Sequence, residues 1–147
     1  MDDIESRSRA KRFSDYVRLH AAGEKVISLP TEIRLLRAGV NDFGLDLDDA
    51  MGSLMAIANH KNIVLESQSE RPTRVMIQHI TKGKRISKQK FKEAVQFYRS
   101  LNNDAISEQD ANKRVKKIVE DDGLRVKRNL IGLRRWYNRI AKPDPVA

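Results

Sequence analysis

The residues best suited to chemistry in this chain are basic side chains concentrated in its second half. Ammonium and guanidinium groups bind carboxylates and phosphates, and an arginine can hold either anion through two parallel hydrogen bonds. Residues 81–147 carry 18 Lys+Arg against 8 Asp+Glu, whereas residues 1–80 carry 11 against 12, so the formal charge of +9 resides in the second half. We therefore expect an acidic partner. The basic residues expected to bind it are Lys113, Arg114, Lys116, Lys117, Arg125, Lys127, Arg128, Arg134, Arg135 and Arg139.

The other reactive side chains show no comparable pattern that would indicate catalysis. The three histidines show no metal-ligand spacing, and the chain has no cysteine to act as a nucleophile or to bind zinc. The acidic run at residues 46–49 stands where a helix begins, and capping of that helix explains it. We therefore predict that the protein is not an enzyme and uses no metal or cofactor.

The composition indicates a soluble, folded helical chain. Of its 147 residues 39% are apolar and 33% are charged, and the apolar residues recur at helical spacing, which a disordered chain lacks. The acidic N-terminus, MDDIES, does not have the form of a signal peptide, and the apolar stretches are too short to span a bilayer. We predict a single cytoplasmic domain over residues 1–142, followed by a short tail at 143–147.

The apolar spacing predicts an all-α bundle of about six to seven short helices with helix-loop-helix units and no sheet. In the first half, the expected buried positions are Phe13, Tyr16, Val17 and His20 in a helix over residues 8–22, Ile33, Leu36 and Val40 in a second helix, and Leu47, Met51, Leu54, Met55 and Ala58 in a third.

Two Ile-Ser pairs begin the helices of the second half. Ser87 and Ser107 are suited to cap these helices, and Asp110 completes a capping box with Ser107. The expected buried positions are Phe91, Ala94, Val95, Tyr98 and Leu101 after the first serine, and Ala111, Val115, Ile118 and Val119 after the second. A last helix over residues 124–141 is expected to bury Val126, Leu130, Leu133, Tyr137 and Ile140.

The segment 107–141 has the proportions of a helix-turn-helix unit, with a short turn that contains glycine. A recognition helix presents its N-terminal side chains to the major groove, where Arg125, Lys127 and Arg128 would lie. Asp121 and Asp122, in the turn, would approach the same DNA and oppose binding. DNA or RNA binding through this unit is therefore an alternative function.

The last segment is also basic and amphipathic and contains Trp136, which is typical of helices that lie on anionic membranes or in a partner's groove. Its apolar stripe equally suits the core of the domain. We expect a non-catalytic binding or adaptor module that engages an acidic protein partner. A nucleic acid is the alternative partner, and a membrane surface ranks after both.

The second half resembles a degenerate pair of EF-hand-like helix-loop-helix units. Over residues 81–123 it is similar to the small helical bundles of the tellurite-resistance B-like class. The residues that match are Ile86, Ser87, Ile106 and Ser107. In the EF-hand register, calcium-ligand positions fall on Lys90 and Arg99, which would repel the ion. The resemblance therefore implies an EF-hand-like helical fold without calcium, and it implies no activity.

Overall fold

The computed structural model describes residues 2–127 and 135–141 of the chain. Over these residues there are seven α-helices, one 3-10 helix and four two-residue strands. The first half contains α1 (Asp2–His20), β1 (Val26–Ile27), α2 (Leu29–Asn41), α3 (Leu47–Lys61) and β2 (Val64–Leu65). A 3-10 helix (Glu66–Ser69) leads to α4 (Glu70–Thr81), β3 (Arg85–Ile86), α5 (Lys88–Leu101), α6 (Glu108–Asp121), β4 (Arg125–Val126) and α7 (Arg135–Asn138). The predicted all-α bundle of short helices is confirmed. The expectation of no sheet is wrong, because two minimal parallel strand pairs form.

The chain divides into two compact units, Met1–Ser67 and Gln68–Ala147, which we call the N-terminal unit and the C-terminal unit. Both have the same element order: a helix, a strand, two helices and a second strand that pairs in parallel with the first. This division does not decide whether the two units unfold together, so a single domain over residues 1–142 remains a prediction.

The core of the N-terminal unit forms where α1 and α2 pack against α3. Gly39 lies so close to α3 that an added Cβ would be 3.0 Å from both Ala50 and the Phe13 ring. This close approach turns the small-residue side of α2 inward, and its buried residues include Leu35 and Ala38. The expected stripe is therefore wrong: Ile33 and Leu36 are only half-buried, and Val40 is exposed.

The predicted buried side of α3 needs a similar correction. Leu54 and Ala58 are buried as expected, but they share the inner side with Ala50 and Ile57. Leu47, Met51 and Met55 are exposed instead, at 53%, 42% and 41% respectively. The small residues Ala50 and Ala58 allow α1 and α2 to pack closely against this inner side, so the opposite side of the helix is left exposed. In α1, Phe13 and Val17 are buried as predicted, whereas Tyr16 is only half-buried and His20 is exposed.

The C-terminal unit follows its sequence pattern closely. The oxygen of Ser87 accepts a hydrogen bond from the amide of Lys90 at 3.2 Å, and the oxygen of Ser107 accepts one from the amide of Asp110 at 3.1 Å. Both predicted caps are therefore present. Leu101 is only half-buried. The other predicted inner residues of α5 and α6 are buried: Phe91, Ala94, Val95, Tyr98, Ala111, Val115, Ile118 and Val119.

The predicted last helix does not begin at residue 124. Gly123 has a positive φ of 63° and ends α6, and the chain then forms β4 beside β3. The amide of Lys127 donates to the carbonyl of Ile86 at 2.8 Å, which continues this pairing. The apolar pattern at 124–127 predicts a helix, but the backbone hydrogen bonds that β3 offers favour a strand there instead. The rest of the predicted helix includes residues 128–134, which lie outside the described residues, and the short α7.

No helix in the described parts of the chain is both long enough and apolar enough to cross a membrane.

Candidate anion-binding site

Six basic side chains surround the paired strands of the C-terminal unit. The strand pairing sets Arg85 opposite Arg125, so two segments distant in sequence lie side by side. All six residues are exposed and lie within three residues of a paired strand. We call this set the basic cluster: Lys82, Lys84, Arg85, Lys88, Arg125 and Lys127. Its charge density suits it to bind carboxylates or phosphates.

The acidic residues nearest in sequence to β4 are already paired with other cations. Asp121 accepts a hydrogen bond from Lys117 at 2.8 Å, and Asp122 lies 3.1 Å from a guanidinium nitrogen of Arg74. The bond to Asp121 raises the pKa of Lys117, because it favours the charged ammonium. Within the described residues, no carboxylate pairs with the basic cluster. The cluster therefore keeps its positive charge available to a partner.

Lys116, one of the residues expected to bind the partner, is buried and has a structural role. Only 5% of its surface is exposed. Its Nζ donates to the carbonyl of Tyr137 at 3.3 Å and to that of Ile140 at 2.9 Å. The same nitrogen lies 4.6 Å from the centre of the Tyr137 ring. Lys116 thus holds α7 against α6, and we remove it from the expected binding set.

An aromatic cluster also holds α7 in place. The ring centres of Phe91 and Trp136 are 5.4 Å apart, and those of Phe91 and Tyr137 are 6.1 Å apart, both with edge-on geometry. The Tyr137 hydroxyl and a Glu120 carboxylate oxygen are 3.2 Å apart in a further hydrogen bond. Trp136 is half-buried in this cluster. Its ring is therefore held by packing, which restricts the area available for stacking on unpaired bases.

The other described residues of the expected set differ in burial and in their contacts within the chain. Lys113 and Arg114 are half-buried on α6, and each interacts within the chain. Arg135 and Arg139 are exposed on or just after α7. Arg139 lines an open cleft of about 460 Å³ together with Trp136 and Glu108. Arg128 and Arg134 lie outside the described residues.

Four members of the basic cluster were missed by the sequence reasoning. They are Lys82, Lys84, Arg85 and Lys88, which stand in the run KGKRISK. The run itself is a visible signal of local positive charge. Its pairing with residues 125–127 was not visible, because a two-residue strand leaves no periodicity to detect.

The N-terminal unit buries two carboxylates that the sequence reasoning also missed. Glu66 accepts a hydrogen bond from the amide of Leu29 at the start of α2, and Ser67 donates its hydroxyl to Glu32 at 2.6 Å. Burial raises the pKa of Glu32, the charge of Glu66 raises it further, and the bond from Ser67 opposes both effects. The second carboxylate oxygen of Glu32 is buried, with no hydrogen-bond partner among the described residues.

Among the described residues, neither the basic cluster nor the buried pair Glu32 and Glu66 provides the ligands of a metal site. The described residues contain no group of three or more His, Asp or Glu side chains that could hold an ion.

Comparison of the chain with protein-family models, with curated proteins and with solved structures gave no match. The resemblance to EF-hand-like and tellurite-resistance B-like bundles therefore stays a prediction.

Proposed function

We propose that this chain is a non-catalytic, cytoplasmic binding module whose C-terminal unit engages an acidic segment of a partner protein. The observation that carries the proposal is the basic cluster, in which the parallel pairing of β3 and β4 gathers exposed cations from two segments. An acidic segment would gain several charge-assisted hydrogen bonds there, at little cost in broken ion pairs.

A protein partner is favoured over a base-reading contact with DNA by two features. Residues 125–126 form a strand, so Arg125 does not begin a recognition helix. The aromatic ring of Trp136 packs edge-on against Phe91 and Tyr137, which restricts its access to unpaired bases. Contacts to phosphates need neither feature, so nucleic acid remains the alternative partner.

The proposal is tested by titrating the full chain with a labelled polyglutamate peptide, and separately with single-stranded and duplex DNA, at two salt concentrations. The variant Arg85→Glu/Arg125→Glu reverses two charges at the centre of the cluster. The control, Arg34→Glu/Lys61→Glu, reverses two exposed charges in the N-terminal unit. We expect the cluster variant to weaken peptide binding by at least about tenfold, because opposite charges are replaced by like ones. The control variant should bind as the wild type does.

Two outcomes would count against an acidic protein partner. DNA binding that exceeds peptide binding, and that weakens with a log–log slope near −0.9 per phosphate contacted, would establish the nucleic-acid alternative. Equal losses in the cluster variant and the control would show that net charge alone drives association. In that case the basic cluster would not be a site.

A further inference from the structure

The outer side of α3 carries an apolar row formed by Leu47, Met51 and Met55. These residues are four positions apart, so they lie along one side of the helix. Each is at least 41% exposed, although each is large and apolar. Next to them is Gly52, where an added Cβ would meet no atom within 4 Å. The row is therefore open to a partner along the length of the helix.

The N-terminal end of the apolar row is acidic. Asp46, Asp48 and Asp49 are all exposed there, and the side chain of Asp46 makes no capping hydrogen bond. No described cation pairs with any of the three. The basic residues of α3, His60 and Lys61, stand at its opposite end. The surface thus combines apolar contact area with a negative potential at one end.

We propose that the apolar row and its acidic end form a docking surface for a basic amphipathic helix of a partner protein. Apolar side chains of that helix would cover the row, and its lysines or arginines would lie against the three aspartates. Helices bind in this way through anchors about one turn apart, and flexible methionines adapt to the shape of such anchors. Charge complementarity selects this occupant, because the aspartates repel anionic lipid surfaces and nucleic acids.

This inference does not depend on the proposed function. The docking surface lies in the N-terminal unit and attracts cations, whereas the basic cluster lies in the C-terminal unit and attracts anions. Failure of either proposal leaves the other intact.

The test uses two labelled synthetic amphipathic helices of one pattern, one of leucine and lysine and the other of leucine and glutamate, titrated into the full chain. The variant Met51→Glu/Met55→Glu places charge on the row. The control Leu19→Glu places charge at a residue of α1 that is 74% exposed. We expect the leucine–lysine helix to bind and the row variant to weaken it by at least about tenfold, as loss of central apolar anchors does. The control should leave binding unchanged.

A second variant, Asp48→Lys/Asp49→Lys, tests the acidic end without changing the apolar row. It should weaken binding of the leucine–lysine helix and strengthen binding of the leucine–glutamate helix, because the sign of the attraction is reversed. Circular dichroism of each variant verifies that its helices are retained.

Four results would overturn the inference. The first is equal binding of the two peptides by the Arg85→Glu/Arg125→Glu variant, in which the basic cluster no longer attracts the leucine–glutamate helix. The second is an equal loss in the row variant and the Leu19→Glu control. The third is sedimentation showing a wild-type dimer that Met51→Glu/Met55→Glu converts to a monomer, because the row would then join two copies of this chain. Binding of anionic vesicles through the same residues would likewise contradict a basic helical partner.

Discussion

Replacing Lys116 with methionine tests whether this lysine holds α7 in place. Methionine preserves the length and most of the apolar stem of lysine but removes the ammonium group. The substitution removes the hydrogen bonds to the carbonyls of Tyr137 and Ile140, together with the contact between the ammonium and the Tyr137 ring. We expect α7 to be held less firmly against α6 and α5.

The size of the effect follows from opposing contributions. A hydrogen bond from a charged donor contributes about 1.5 to 3 kcal/mol, and a desolvated cation over an aromatic ring contributes about 2 kcal/mol. Burying the ammonium costs several kcal/mol, and this cost opposes the two contributions. Methionine avoids the cost. Ile140 is only half-buried, so water can satisfy part of its lost bond. We therefore expect a net loss of about 2 kcal/mol in the free energy of unfolding.

The assay uses the single tryptophan of the chain, Trp136, which packs in the aromatic cluster on α7. Urea unfolding is followed by tryptophan fluorescence and by circular dichroism. Lys117→Met is the matched control, since Lys117 is adjacent and forms an exposed ion pair with Asp121 whose loss should cost no more than about 1 kcal/mol. Equal stability of Lys116→Met and the wild type, with unchanged Trp136 emission, would refute the structural role of Lys116.

Two further substitutions test the N-terminal unit. Because the pKa of Glu32 is raised from 4.5 by burial, the wild type should lose stability as pH rises from 4.5 through the folded-state pKa. Glu32→Gln should lack this loss and be more stable than the wild type at pH 7, as measured by urea unfolding at several pH values. A steeper loss of stability with rising pH in Glu32→Gln than in the wild type would contradict the burial of a charged carboxylate. Gly39→Ala should destabilise by about 1 to 3 kcal/mol, because its Cβ would crowd Ala50 and Phe13, whereas Gly52→Ala should stabilise by up to about 1 kcal/mol through helix propensity. Thermal unfolding of Gly39→Ala and Gly52→Ala measures both effects. Changes in stability of the same sign in the two variants would contradict this packing.

The sequence predicted the C-terminal unit more accurately than the N-terminal unit, and the side chains explain why. In α5 the large residues Phe91 and Tyr98 define one side unambiguously, and Ser87 marks where the helix begins. In α3 large apolar residues lie on both sides of the helix: Leu54 and Ile57 are buried with the alanines, whereas Leu47, Met51 and Met55 are exposed. Periodicity favours the side with Leu47 and Met51, but close packing favours the alanines, and packing decides.

The candidate sites overlap in part with the residues expected from the sequence. Arg125 and Lys127 were recognised from charge alone, and both belong to the basic cluster. The burial of Lys116 was not foreseeable, because a lysine among three other basic residues on α6 gives no sign that it contacts two carbonyls of a later segment. The same limit applies to Glu66, whose partner Leu29 lies in an earlier part of the chain.

The two units place opposite charges at the same point of the same element order. Glu66 directly follows β2 and is buried, where its carboxylate accepts the amide hydrogen of Leu29 at the start of α2, a helix that Ser28 does not cap. Lys127 directly follows β4 and is exposed, and α5 is instead capped by the oxygen of Ser87. An anion stabilises a helix N-terminus and a cation does not, so a serine cap is required where lysine replaces glutamate. Lys127 therefore takes no part in capping α5 and is exposed, so its charge adds to that of the basic cluster proposed to bind anions in the C-terminal unit.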